Sequence, residues 1–431
     1  MRVPFLRIIL LIEFTQGGLP LVLSVMVDWM RMENPKIRWL DAQPVETEGR
    51  EMILLNDAEG VIESALAVSK DVLFLLSLMD GTRSLRDIQV QYMRTYGQLI
   101  YLERLEEIVT AMDQNFLLFN ERYRSHLAQL KSEYENNPVR KPACAGRSYP
   151  ENRMELLTLL DEMFRNATRL PCTGDIGAIL APHMDYARGV DVYKETYCNL
   201  RGSEAPLFVI LGTCHRPMEK LWSISLKDFS TPLDIIPISK NLQRLIRQNS
   251  VLKEYVDEWP HKNEHSIELQ LPLIQFNMPG DFEILPILTG SMHEYITGEK
   301  NINDGLLAEL VTNLRKVLKH YGKPYIIVAG ADLAHIGTQF GDSFPLDAVA
   351  LAGSRAADEK ILSCIREANA QAFFETIRAE RDSRRICGLT PIFFMLRLIE
   401  TARVEIVGYK QWTDGQSSVS FAGAVSYKGA G

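Results

Sequence analysis

Apolar positions recur every three or four residues between Trp39 and Tyr123, and this spacing predicts three helices followed by a short strand. Asp71 leads into a stripe of Val72, Leu75, Leu76 and Met79, which Asp80-Gly81-Thr82 stops. Ser84-Leu85-Arg86-Asp87 has the form of a capping box and opens a second helix with Leu85, Ile88 and Tyr92 on one face. After Gly97 a third stripe, Leu102, Leu105, Val109 and Met112, precedes the strand-like run Phe116-Leu117-Leu118-Phe119. Three helices and a β wing predict a winged-helix module over residues 39–123. Residues 124–142 are polar and charged, include Asn136-Asn137-Pro138, and predict a linker after a fraying helix.

From residue 143 to 431 the pattern changes. Strand-like runs at 178–181, 207–211, 283–288, 325–328, 404–408 and 419–426 alternate with amphipathic helices. One helix carries Leu156, Leu159, Leu160, Met163 and Phe164, and another Leu307, Leu310, Val311, Leu314 and Leu318. This alternation predicts an α/β domain whose central sheet is covered by helices on both faces. Residues 1–38 stand apart as an uncertain tail. The stretches 8–12 and 19–27 are apolar, but Glu13, Gln16, Gly17, Gly18 and Pro20 interrupt them short of the roughly 20 apolar residues a spanning helix needs. No membrane association is expected, and Met26, Met30 and Met32 are alternative start sites.

Composition narrows the class. At 431 residues the chain holds two or three domains, and 46% hydrophobic with 24% charged residues is the balance of a soluble globular protein. The 47 basic and 55 acidic side chains leave a net charge of −8, which argues against nucleic acid as the partner. The third helix adds Glu103, Glu106 and Glu107 beside Arg104, a surface suited to protein or peptide and poorly suited to DNA phosphates. The six Cys, at 144, 172, 198, 214, 364 and 387, include no C-x-x-C pair and read as reduced thiols of a cytoplasmic protein.

The candidate chemistry lies where strands end. His183 and His215 each follow a β run at once, and Asp332 and His335 follow a third. Carboxyl ends of strands in an α/β sheet open onto one crevice, so these side chains can meet there. His265 and Glu268 stand three apart at a helix start, a spacing that puts them on one side. Cys387 precedes an apolar helix over 392–399, with Pro391 suited to its first turn; a helix N-terminus favours a thiolate, fitting a metal ligand or nucleophile. Plainer roles compete: strand-end histidines bonded to loop carbonyls, Glu268 as a helix cap or ion-pair partner, and Asp332 with His335 as a pair anchoring a loop. His126, His261, His293 and His320 belong to no pattern and are expected at the surface.

Six motifs occur in one order: Cys144-Ala145-Gly146-Arg147-Ser148-Tyr149-Pro150, Ala181-Pro182-His183-Met184-Asp185-Tyr186, Leu211-Gly212-Thr213-Cys214-His215, Asn263-Glu264-His265-Ser266-Ile267-Glu268, Asp332-Leu333-Ala334-His335 and Cys387-Gly388. The stretch from about 143 to the end thereby resembles the Memo family, also called AmmeMemoRadiSam system protein B. The resemblance implies a fold like that of class III extradiol dioxygenases and a metal held by His183, His215 and Cys387. It leaves His265, Asp332, His335 and Glu268 for substrate contact or acid–base work. Two imidazoles and a thiolate admit non-haem Fe(II), Cu or Zn.

The family's name implies a radical SAM protein and an Ammecr-type protein as partners, and hence a metal-dependent, oxidoreductase-like component. An extradiol-type ring-cleaving dioxygenase and a non-catalytic metal- or peptide-binding protein are the alternatives. Residues 76–85 resemble PqqD-like winged-helix modules, which hold a precursor peptide. Two departures bear on substrate: Met184-Asp185 follows the first His where the family has a small pair, and Leu389-Thr390 replaces the usual Arg after Cys-Gly.

Overall fold

A computed structural model describes residues 10–12, 34–47, 49–57, 59–62, 66–170, 175–399 and 403–428. The chain divides into two compact units after Tyr134. In the first, β1 (Leu10–Ile12), β2 (Asp41–Thr47), β3 (Arg50–Asn56) and β4 (Leu66–Val68) form a sheet in the order β1-β4-β3-β2. Helices α1 (Lys70–Leu78), α2 (Leu85–Tyr96) and α3 (Leu102–Gln114) follow, at the three expected stripes. The capping box is formed: Asp87 N donates to Ser84 Oγ at 3.2 Å, and Ser84 N to the Asp87 carboxylate at 2.9 Å.

Two expectations for this unit are corrected. The run 116–119 makes no strand: Phe116 has a φ of 57°, and only Leu118 bridges, to Ile37. The hairpin of the unit, β2–β3, instead precedes the helices. The expected tail also ends before residue 38, because Ile37 N donates to Met79 O at 2.8 Å and the buried Arg38 pairs with Asp57 at 2.6 Å. Residues 13–33, with the three alternative start Met, lie outside the described residues.

The expected linker is largely helix. Helix α4 (Glu121–Asn136) runs through it, because Glu, Arg, Lys, Gln, Ala and Leu are all good helix formers. With only Tyr123 fully buried, the helix shows no apolar stripe in the sequence.

The second unit is α/β, with a large sheet flanked by helices. Its elements are β5 (Val139–Arg140), α5 (Arg153–Phe164), β6 (Ile176–Ala181), α6 (Tyr186–Tyr197), β7 (Leu207–Thr213), β8 (Trp222–Ile224), β9 (Asp228–Ser230) and β10 (Ile235–Ile236). Next come α7 (Lys240–Gln248), α8 (His265–Glu268), α9 (Leu271–Asn277), β11 (Glu283–Thr289), α10 (His293–Thr297), α11 (Leu306–Tyr321), β12 (Tyr325–Gly330) and β13 (His335–Gly337). The chain ends with α12 (Ala348–Arg366), α13 (Ala370–Ala379), α14 (Leu389–Leu398), β14 (Arg403–Thr413) and β15 (Ser417–Tyr427). The main sheet has the order β13-β15-β6-β12-β7-β11-β8, with β14 against β15, and β10-β9-β5 form a small second sheet.

Strands β6, β12, β7 and β11 are mutually parallel, and antiparallel strands close both sides. Alternate residues of each central strand face two different cores. Leu180, Val209, Leu285 and Ile327 join α7, α11, α13 and α14, while Ile179, Ile210, Ile284 and Val328 join α5, α6 and α9. Strands buried on both faces have no polar positions, which is why they read as continuous apolar runs. Among the described residues no helix is long and apolar enough to cross a membrane.

Candidate metal centre at the strand ends

Strands β6, β12 and β7 lie side by side with their carboxyl ends level, Ala181 opposite Gly330 and Gly330 opposite Gly212. Two residues past each strand come His183, Asp332 and His215. The start of α8 crosses these ends and brings Glu264 and His265. It can approach because β12 ends in glycine: a Cβ on Gly330 would sit 2.5 Å from Ser266 O and 2.8 Å from Gln270 Nε2. Cys387 arrives from the turn before α14, where Thr213 Oγ1 donates to Cys387 O at 3.0 Å and Gly388 N to Asp332 O at 3.0 Å. A side chain at Gly388 would overlap the Asp332 carbonyl, so Cys-Gly is what this approach requires.

The His183 ring lies edge-on to the other two, with centroids 4.9 Å from His215 and 5.2 Å from His265. His215 and His265 stack at 4.5 Å. One ring nitrogen from each of the three lies within 4.8 Å of the others. Two of the Nδ1 atoms are hydrogen-bonded, His183 with Gly330 O at 3.0 Å and His215 with Glu264 Oε1 at 3.0 Å, while His265 Nδ1 lies 3.2 Å from the same Oε1 as an ion-pair contact. Carbonyl and carboxylate oxygens only accept, so on His183 and His215 this arrangement assigns the proton to Nδ1 and the lone pair to Nε2. His183 Nε2 is met by Cys387 Sγ at 3.4 Å and Asp332 Oδ2 at 3.5 Å.

Burial sets much of the electrostatics. It holds the His183 pKa well below the usual imidazole value, helped by His215 and His265. Burial also disfavours a charged His215, but the Glu264 carboxylate overrides it and raises that pKa. At His265 burial wins over Glu264 and lowers the pKa. Glu264 is itself buried, yet His215 and His265 keep it a carboxylate, well below its ordinary value. Desolvation pushes Asp332 up to about 7 against the His183 N–H that it accepts. Burial, then the nearby Asp332, hold the Cys387 thiol well above its ordinary value.

Three imidazoles gathered within reach of one another, one of them also met by a thiol and a carboxyl, are donors of the kind that a transition metal or zinc takes. Residues 140–429 match the family model described as Memo-like protein. The chain belongs to the Memo family. It is similar to a MEMO1 family protein of Aquifex aeolicus, 28% identical over 400 residues that cover 91% of this chain and 100% of the relative. A MEMO1 family protein of Thermoplasma volcanium is 27% identical over 292 residues, 67% of this chain and 96% of the relative. One from Thermus thermophilus is 27% identical over 337 residues, covering 77% and 94%. The Aquifex alignment is too long for the Memo-matched segment alone, so it extends well into the first unit.

Within this Memo-family chain the expected site residues separate. His183, His215 and His265 form the cluster, and Cys387 and Asp332 touch His183. His335 stands apart on β13, its Nδ1 between Leu333 O at 3.1 Å and Arg385 O at 3.2 Å and its ring edge-on to Phe340. Burial lowers its pKa to about 4. Asp332 accepts from His183 N at 3.0 Å, so the plainer alternative of an Asp332–His335 pair gives way to separate partners.

Glu268 does not share a side with His265. It is fully buried, and its carboxylate accepts from Arg140, from Ala143 N and Cys144 N at 2.8 Å each, and from Tyr149 Oη at 2.6 Å. The short helix α8 lets His265 face the cleft while Glu268 turns inward. His261, expected at the surface, is buried and bonds Ser223 O at 3.0 Å, and His126 stacks on Phe116; His293 and His320 are exposed. Cys214, just past the interior strand β7, is half-buried and packs against the core that holds α5, α6 and α9.

Glu264 is the residue that sequence reasoning passed over. It caps α8, accepting from His265 N at 2.8 Å and Ser266 N at 3.1 Å. The available signal was an acidic residue at a cap position where shorter Ser, Thr, Asp or Asn side chains prevail. Its extra length is what reaches His215.

Proposed function

We propose that the cleft holds one metal ion on His183, His215 and Cys387, and that the protein is a metal-dependent, oxidoreductase-like component. The observation that carries this reading is the 3.4 Å separation of Cys387 Sγ from the lone-pair nitrogen of His183. Metal–nitrogen and metal–sulfur bonds of about 2.0 and 2.3 Å at a tetrahedral angle leave their ligand atoms about 3.5 Å apart. A ring nitrogen of His215 lies within 4.8 Å of one of His183, and the bond of Nδ1 to Glu264 leaves Nε2 as the free donor.

Bound Fe(II) or Cu would supply electron transfer or O2 chemistry there, and Zn the activation of water. The chain's own residues prepare the site. Gly330 O and Glu264 fix the two ring orientations. Burial holds Cys387 as a thiol, which would have to give up its proton to serve as a ligand. Asp332, poised at about 7 and 3.5 Å from His183 Nε2, can take up or release a proton near neutral pH. His265, at the partly exposed mouth, is placed to contact substrate or serve as a base.

The family resemblance adds a radical SAM protein and an Ammecr-type protein as partners, with the first unit as a winged-helix-like, PqqD-like holder of a peptide. Anaerobic purification with elemental analysis tests the centre. Wild type and His265→Ala are expected to retain metal, and His183→Ala and Cys387→Ser to lose it. Loss in His265→Ala with retention in Cys387→Ser would make the third ligand a nitrogen. Equal metal in all four proteins would remove the centre.

A further inference from the structure

We infer that Glu264 is a positioning residue that holds His215 at the start of α8, fixing its ring with Nδ1 protonated and Nε2 free. The metal reading supplies the consequence of this role, but the role itself rests on hydrogen bonds within the chain. The Glu264 side chain is 4% exposed, and both of its oxygens accept hydrogen bonds. Oε2 accepts from His215 N at 2.9 Å. Oε1 accepts from His215 Nδ1 at 3.0 Å and His265 N at 2.8 Å, and faces His265 Nδ1 at 3.2 Å. One oxygen thus joins the His215 ring to the main chain of His265, some fifty positions away, and the two rings stack.

The main chain of Glu264 is fixed from the opposite side, because the buried Arg140 donates to Glu264 O at 2.8 Å. No near relative of the side chain can substitute. Aspartate is one methylene shorter and cannot both cap α8 and reach His215. Glutamine keeps the shape but turns one acceptor into a donor, which would face either His215 N or the cluster of N–H groups on Oε1. Loss of Glu264 should therefore disturb the His215 ring, whereas a residue serving only the helix start would leave its tautomer unchanged.

Nitrogen-15 NMR of the imidazoles tests this in the metal-free wild-type chain, about two pH units above the ordinary imidazole pKa so that the rings are neutral. His215 is expected in the Nδ1–H form. Finding it predominantly in the Nε2–H form overturns the inference, whether or not any variant folds. In Glu264→Gln, judged folded by circular dichroism, the His215 ring is expected to redistribute between tautomers. Competition with a chelator for Zn(II) should show about 10- to 100-fold weaker binding, and Glu264→Asp should not restore it. Unchanged tautomers and unchanged Zn(II) affinity in Glu264→Gln would also overturn it. Expected tautomers in a wild-type chain that binds no metal would retire the metal reading and leave the positioning role standing.

Discussion

Two buried glutamates lie four residues apart on one segment and do opposite work. Glu268 meets a permanent cation, Arg140, together with two backbone N–H groups and a tyrosine hydroxyl, all inside the protein. Glu264 meets two imidazoles that can lose or gain a proton and that reach the surface of the cleft. Burial would raise both carboxyl pKa values, and in each case the partners reverse it. A carboxylate balanced by arginine cannot change state near neutral pH and so serves as an anchor, while one balanced by histidines can transmit a change and so belongs to a site. Arg140 joins the two regions, since it bonds Glu268, His261 O and Glu264 O at once.

The contrast is broken most severely by Glu268→Ala. Arg140 would keep its charge at zero exposure, and Ala143 N, Cys144 N and Tyr149 Oη would lose their acceptor. Removing one partner of a buried pair costs about 3–5 kcal/mol, and urea unfolding of the second unit should show it. A loss under about 1 kcal/mol would mean that water reaches Arg140 and the anchor is not sealed.

Acid should weaken the same region through His261. Burial, opposed only weakly by its bond to Ser223 O, depresses its pKa from 6.5 to about 3. Above pH 6.5 the ring is neutral in folded and unfolded chains alike, and its contribution to stability is complete. Below that, the unfolded chain gains a proton that the folded chain refuses, so stability falls with pH until about 3. At pH 5 the loss from this group is about 2 kcal/mol. Denaturant midpoints measured at pH 7 and pH 5 for wild type and His261→Gln should differ in slope, and parallel profiles would assign the acid sensitivity elsewhere.

Much of this was legible in the chain because apolar burial writes itself in period. The central strands are buried on both faces, and the histidines that follow them stand out as polar residues at the ends of apolar runs. What failed to show are interactions joining distant positions. Arg140 sits at the end of a polar stretch that reads as linker, and nothing local reveals that it is buried against a helix start more than a hundred residues later.

Helix α12 escaped for a related reason. Its buried face includes Ser354 and Asp358, which bond Arg384, so polar residues break the stripe that would betray a helix. At His265 and Glu268 the three-residue spacing pointed to a shared face, but α8 is only a single turn and buries its two ends differently.

The site side of the comparison should cost the fold little. His265→Gln removes a ring that is partly exposed and stacked on His215, and it leaves no buried group stranded. Oε1 of Glu264 keeps His215 Nδ1, the backbone N–H of residue 265 and Ser266 N as donors. The glutamine keeps that backbone donor and can place its own amide near the carboxylate. A change within about 0.5 kcal/mol is expected, typical of substitutions that create neither a cavity nor an orphaned charge, and calorimetry of the metal-free chain would read it. A cost of several kcal/mol would place His265 with Glu268 among the anchors. The division between scaffold and site along this segment would then vanish, because the ring would be holding α8 to the strand ends rather than standing ready at the mouth of the cleft.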